Sequence, residues 1–424
     1  MTLRRILLAA VFSAVLLPAA APAQETSAGP AHQAGSGEQT RFTEGDAVQL
    51  FVRALREVRE RYVEPLSERE LAEIAVQAMV GRDRWSKYYD EGQYRDVQAD
   101  NQGSLVGVGI RFNVKPEGAE IAESFTDGPA AQAGLRSGDR ILAIDGKPLA
   151  GLNADQVRTL IRGEEGSAVT LTLAAGEGAR RDLRLVRKAI TVPSVGGKNI
   201  DGFGYVRIAK FDQQTVPGFQ AALRQISAQG RPRGLVIDLR DNPGGLVDAC
   251  VKLADALLER GRILETRSRN RDGEIIEANA GDDTGGLPIV LLVNKNSASA
   301  AEILAGALQD NRRALLVGAR TYGKGVIQST RPVPGGGAIR LTTARYLTPA
   351  GHQVHEQGIT PDFVLGAPDA APVPWGERPD PANDVQLAQA LTLLSQGGAP
   401  ALARTTSAAA AEPVPAAGSA EGTR

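Results

Sequence analysis

Ser299, Lys324 and Gln328 are the residues of this chain whose types and spacing best suit covalent chemistry. Ser299 lies in VNKNSASAAEILAGALQD, where an apolar strand gives way to a helical pattern and a side chain is well displayed. A serine hydroxyl is a weak nucleophile until a neighbouring base takes its proton. Histidine is the usual base, yet the chain holds only three. His352 and His355 lie in AGHQVHEQGITPD, a loop with no clear carboxylate to orient either ring. No Gly-x-Ser-x-Gly elbow occurs. A simpler role stands beside the catalytic one. Ser299-x-x-Glu302 has the spacing of a capping box, in which both side chains satisfy free amides at a helix start.

Lys324 stands between Gly323 and Gly325, 25 residues after Ser299 and beyond the next apolar strand, ALLVGA. If the two strands are parallel neighbours, the loops at their ends meet at one sheet edge. A lysine acts as a base only if burial brings its pKa down from about 10.4 into the neutral range. Ala298, Ala300, Ala301 and two glycines supply small surroundings for that. Gln328, four positions on along VIQST, can point back and hold the neutral amine. The alternatives are a solvated loop lysine and an ordinary strand-face glutamine. Acyl transfer also needs oxyanion donors, each worth on the order of 3 kcal/mol. In DLRDNPGGLVDA the amides of Gly244-Gly245 open a helix and suit an oxyanion, unless this is simply a glycine-rich turn. The amide of Ala300, next to the serine, is the natural second donor.

The elements that must position these residues fall into successive blocks. MTLRRILLAAVFSAVLLPAAAPAQ has a basic start, a short apolar run and a small-residue site after Ala23, the pattern of a secretory signal peptide. An Ala/Gly/Ser/Gln-rich leader follows. Helical periodicity then runs through Val48, Leu50, Phe51, Leu55 and Val58, resumes from Leu71 to Met79, and closes with the aromatic cluster DRWSKYYDEGQY. Short strands and turns occupy 101–190, with Asn153 capping a helix. From Gly202 near-continuous apolar strands alternate with helical patterns at 215–229, 246–259 and 299–310, as expected for strands covered on both faces. After Gly366 the chain turns Pro- and Ala-rich, with one weak helical pattern from Val385 to Leu394. The net charge of −1 excludes a nucleic-acid footprint. The single cysteine, Cys250, reads as a core residue that can form no internal disulfide. No spacing of His, Cys or acids suggests a metal, and no segment beyond the signal suits a membrane span.

Four stretches in this order, DLRDNPGG, SASAAEI, TYGKGVIQ and GITPD, resemble the carboxyl-terminal processing proteases, also called tail-specific proteases. The likeness runs from about Val48 to Leu365. It implies Ser299 as nucleophile, Lys324 as general base, Gln328 as its orienter, and Gly245 with Ala300 at the oxyanion hole. It also implies an α/β fold with a crotonase/Clp-protease-like β-β-α spiral. Many members carry a serine where this chain has Ala301 and a proline where it has Arg84, departures that bear on specificity rather than chemistry. LVGVGI beside GPAAQAGLRSGDRILAIDG looks like a PDZ domain. There Val106, Gly107, Val108, Gly109 and Ile110 would hold a terminal carboxylate while the ligand adds as a strand. Val157, Leu160 and Ile161 would form the side-chain pocket, or else domain core.

The expected layout is a signal peptide at 1–23, a leader at 24–42 and a helical region at 43–100, then a PDZ domain at 101–190, a peptidase core at 191–366 and a tail at 367–424. The expected function is that of an exported, periplasmic serine endopeptidase. It would recognise protein C-termini and cleave through a Ser/Lys acyl-enzyme without a cofactor. The resemblance further implies homo-oligomers and a lipoprotein adaptor. A non-catalytic PDZ-bearing binding protein on the same fold is the alternative, and an acyl esterase is a weaker one.

Overall fold

The computed structural model describes residues 42–125, 127–175, 179–269, 271–366 and 378–397. The expected signal peptide, almost all of the leader and most of the tail lie outside the described residues. The chain divides after Leu71 into two units. In the first, α1 (Glu44–Arg61) opens on a capping box, with the Thr43 N–H donating to Asp46 at 2.9 Å. Its apolar positions Val48, Leu50, Phe51 and Val58 are all exposed. A further helix, α2 (Glu68–Val80), spans the division.

The second unit begins with a departure from the helical reading of 43–100. The aromatic cluster contains a strand, β1 (Lys87–Tyr89), ahead of α3 (Glu91–Asn101). The PDZ region then comprises β2 (Ser104–Gly107), β3 (Ile110–Lys115), β4 (Gly118–Ser124), α4 (Pro129–Gln132), β5 (Arg140–Ile144) and β6 (Lys147–Pro148). It continues with α5 (Ala154–Ile161), β7 (Ala168–Ala175), β8 (Ala179–Val186) and β9 (Lys188–Thr191). The main sheet runs β3-β4-β5-β7-β8 and leaves β3 at its edge, while β2 pairs with β9. Asn153 caps α5 as expected, accepting the Gln156 N–H at 3.0 Å.

The core that follows contains β10 (Val195–Ile200), β11 (Phe203–Ile208), α6 (Thr215–Ser227), β12 (Leu235–Asp238), α7 (Val247–Asp255), β13 (Arg262–Ser268) and β14 (Arg271–Glu277). It ends with β15 (Ile289–Val293), α8 (Ala300–Asp310), β16 (Ala314–Gly318), β17 (Val326–Pro332), β18 (Ala338–Leu347), β19 (Phe363–Val364) and α9 (Val385–Ser395). A sheet of order β10-β11-β12-β15-β16-β19 is parallel from β11 onward. Strand period two sorts its residues between faces. Leu235, Ile237, Ile289, Leu291 and Leu316 pack with α6, α7 and α8, while Val236, Val290, Leu292 and Val317 pack with α9. This double cover explains the continuous apolar runs. Cys250 lies in that core, its thiol donating to the Ala300 carbonyl at 3.0 Å. The second sheet runs β1-β18-β13-β14, with β17 also on β18, so β1 is a strand added to the sheet of the chain's second half.

α9 is more than the weak helix its sequence suggests. Leu387, Ala390, Leu393 and Leu394 are buried against the sheet. Its cap, Asp384, also receives the Arg240 guanidinium at 2.8 Å, and that group pairs with Asp238 at 2.6 Å. All three side chains are buried or nearly so. Replacing Arg240 by Met leaves two carboxylates uncompensated in the interior. The expected loss is about 3–5 kcal/mol, read as a lower urea midpoint at unchanged slope.

Candidate active site

Parallel pairing of β15 with β16 brings the loops after both strands to one sheet edge, and Ser299 and Lys324 come together there. What joins them is Glu302, in the first turn of α8 and fully buried. One carboxylate oxygen accepts the Ser299 N–H at 2.9 Å and the Lys324 N–H at 2.8 Å. The other accepts the Gly323 N–H at 2.7 Å and the Thr321 hydroxyl at 2.5 Å. A hydrogen bond to a charged acceptor contributes about 1.5–3 kcal/mol, so four of them fix both loops firmly. From β18 the Tyr346 hydroxyl lies 3.1 Å from the carbonyls of both Ser299 and Lys324. Burial and the Glu302 charge raise the phenol's pKa well above its ordinary value, so it remains a donor. The GITPD motif braces the same loop, since the Ile359 N–H donates to the Thr321 hydroxyl at 2.7 Å.

Ser299 itself has φ 57° and ψ −117°, not the extended backbone of a helix cap. A non-glycine residue held there costs about 1–3 kcal/mol. Glu302 holds the strained amide, so the Ser-x-x-Glu spacing serves more than capping. The serine is nearly buried, at 7% exposure. Against it lies the DNPGG turn. Asn242 accepts the Gly244 N–H at 2.8 Å and donates to the Ile208 carbonyl at 2.8 Å. Gly244 has φ 99°, and a Cβ there would stand 2.7 Å from that of Ser299, so no side chain fits. Neither the Gly245 nor the Ala300 N–H donates to an acceptor among the described residues, which leaves both available to an oxyanion.

The Lys324 side chain is half-buried, and its Nζ sits 4.8 Å from the centre of the Trp85 ring. Burial lowers its pKa, the Arg340 charge lowers it further, and the Glu302 charge opposes them. A cation–π contact favours the ammonium by about 1 kcal/mol. Withdrawing an ammonium from water costs several kcal/mol, so burial wins. The Lys324–Gln328 hydrogen bond expected from spacing is not formed. The Gln328 amide donates instead to the Val326 carbonyl at 3.3 Å. Lys324 lies in the loop before β17 begins at Val326, so the strand parity on which that expectation rested does not reach it. His355 packs against Gly325 from the GITPD-side loop.

In the PDZ region the Gly107–Gly109 turn leads into the edge strand β3. Gly109 has φ 78°, and a Cβ there would meet the Gly128 Cα at 2.8 Å. The Val108 and Gly109 N–H groups donate to no acceptor among the described residues, while their carbonyls accept from Ala130 and Phe125 at 2.9 Å each. Val106 is half-buried. Of the expected pocket residues, Val157 and Ile161 are buried with Val108 and Ile110 in the PDZ core, and Leu160 alone is half-exposed. The correction follows from helix geometry: three positions spanning one turn cannot all leave the face that seals the core.

The model of Peptidase family S41 matches residues 202–365, and that of the PDZ domain matches 121–174. A carboxy-terminal-processing protease of Bartonella bacilliformis is 38% identical over 317 residues, 73% of each chain. The carboxyl-terminal-processing protease of Synechocystis is 38% identical over 351 residues, covering 80% of this chain and 81% of that one. The chain belongs to this family of S41 serine-type peptidases. An S41 protease from Bacteroides fragilis shares the fold at a TM-score of 0.51, with 16% identity over 80% of this chain and 96% of that one.

Sequence reasoning missed Glu302 as a bridge, although its capping spacing marked it, and missed Tyr346, which only the folded sheet brings near. In this S41 peptidase, replacing Glu302 by Gln would set an NH2 group against at least one backbone N–H donor, in either amide orientation. The two loops should then separate slightly, and a misplacement of about 1 Å costs roughly 100-fold in kcat. The measurement is kcat against KM on a labelled unfolded protein, with circular dichroism to show the fold retained.

Proposed function

We propose that this peptidase recognises protein C-termini through its PDZ domain and cleaves peptide bonds with Ser299 as nucleophile and Lys324 as general base. One observation carries the reading: a single buried carboxylate, Glu302, grips the backbone of both residues. In its neutral form Lys324 takes the Ser299 proton as the hydroxyl attacks the scissile carbonyl. The negative oxygen that develops is met by the free N–H groups of Gly245 and Ala300. As the tetrahedral adduct collapses, the lysine returns the proton to the leaving amine. Water repeats the sequence on the acyl-enzyme, with Lys324 again the base. Gln328 is a third member only if its amide turns towards Lys324 during turnover. A substrate carboxylate would sit on the Val108 and Gly109 amides while its last residues extend the open edge of β3.

The sequence of 1–23 supports export to the periplasm, and homo-oligomers and a lipoprotein adaptor belong to the same proposal. No helix among the described residues is long and apolar enough to cross a membrane.

A fluorophosphonate probe tests the dyad. The wild type should label at Ser299, and Ser299→Ala should neither label nor cleave while its melting temperature stays within a few degrees. Lys324→Arg keeps the charge but cannot deprotonate, and should lose about 100-fold or more in both rates. Near-wild-type cleavage by Lys324→Arg would contradict the reading.

A further inference from the structure

Lys324 has no hydrogen-bond or ion-pair partner for its Nζ among the described residues. Its Nζ lies instead over the indole of Trp85, 4.8 Å from the ring centre. Trp85 comes from outside the peptidase core as the sequence divides it, from the segment ahead of the PDZ region. That segment is bound to β18 by more than the short β1 pairing. Asp83 accepts the Trp85 N–H at 2.7 Å and the Ser86 N–H at 2.9 Å. Arg340 donates to the Trp85 carbonyl at 3.2 Å, and the Thr342 N–H donates to the Ser86 hydroxyl at 3.1 Å. The indole is held in turn by an edge contact with Tyr322, centroids 6.1 Å apart, and by the Arg84 guanidinium 4.5 Å from its centre.

We infer that Trp85 is the positioning residue of the general base, covering and orienting the Lys324 amine as the expected Gln328 contact does not. The inference rests on the Ser/Lys reading above. Two effects of the ring oppose each other. Its quadrupole favours the ammonium, while its bulk keeps water from the amine and favours the neutral form. Other groups surround the lysine: the charges of Glu302 on α8 and Arg340 on β18 act on its amine, the Tyr346 hydroxyl from β18 meets its backbone carbonyl, and Tyr322 from its own loop contacts the indole. Of these charges, Arg340 disfavours the ammonium and Glu302 favours it. The Arg84 guanidinium contacts the same indole, 4.5 Å from its centre. Covering is the larger effect of Trp85. Its removal therefore wets the amine, raises the pH at which the base becomes neutral, and frees the side chain to leave the serine.

The test measures two pH profiles on the full chain: kcat for a labelled unfolded protein and the rate of Ser299 labelling by a fluorophosphonate. Trp85→Ala should move both profiles to higher pH and lower kcat at pH 7 by roughly tenfold, with KM changed less than about twofold. Trp85→Phe, which keeps an apolar ring, should restore most of the activity and the original profile. If Trp85→Ala fails to fold, Trp85→Leu and Trp85→Gln decide between an apolar and a polar cover on the same readouts. Unchanged profiles in the folded variants, or a shift to lower pH, would overturn the inference. Lys324→Ala separates that failure from a deeper one. If it is inactive while the Trp85 variants behave as wild type, only the role of Trp85 falls. If it cleaves at the wild-type rate, the dyad itself is wrong.

Discussion

Everything at this site depends on one buried carboxylate. Glu302 has no exposure to solvent and accepts four hydrogen bonds, from Ser299, Thr321, Gly323 and Lys324. A charge so placed is tolerable only if every donor stays in position, so the protein cannot keep Glu302 and let the loops drift. The strain at Ser299 and the close approach of Gly244 are affordable for the same reason. Tyr346 adds a neutral brace from the second sheet, and Asn242 ties the glycine turn to the parallel sheet.

Two sheets and a segment remote in sequence therefore converge on one serine. The parallel sheet supplies the loops, and its two apolar faces are sealed by α6, α7 and α8 on one side and by α9 on the other. α9 is anchored through Asp384 to Arg240, just past β12 and just before the turn at 242–245. Loss of that helix would expose the sheet directly beneath the turn. The second sheet supplies Tyr346, and its added strand β1 delivers Trp85. The PDZ region, inserted between β1 and the parallel sheet, leaves its β3 edge open and the Val108 and Gly109 N–H groups without an acceptor among the described residues. In the proposed function, substrate selection and bond cleavage would use the same resource, backbone amides without partners among the described residues.

Much of this was legible in the sequence because it is local. Apolar runs marked β12, β15 and β16, glycine pairs marked the turns, and the distance from Ser299 to Lys324 fits one helix and one strand. What was not legible is what depends on pairing across the chain. β17 begins only where its pairing with β18 starts, at Val326, so counting from Lys324 along VIQST as if on one strand gave a contact that is not made. The pairing of Tyr89 with Ala338 joins residues far apart in sequence, and nothing in DRWSKYYDEGQY announces it. Leu160 could not be distinguished from Val157 and Ile161 without the register of α5 on its domain. The weak pattern from Val385 to Leu394 concealed a buried helix because its Asp384 cap is supported by Arg240, which no helical periodicity records.

In the proposed mechanism Lys324 is a base made neutral by its surroundings, and the titration of its own amine decides whether it is. Chain carrying carbon-13 at lysine Cε would be titrated by NMR, with the Lys324 signal assigned from its loss in Lys324→Arg. Burial and the nearby Arg340 predict that this signal titrates below the other lysines, over the same pH interval in which peptide cleavage switches on. A Lys324 signal that titrates together with the solvent-exposed lysines, while cleavage is already complete at neutral pH, would contradict the account.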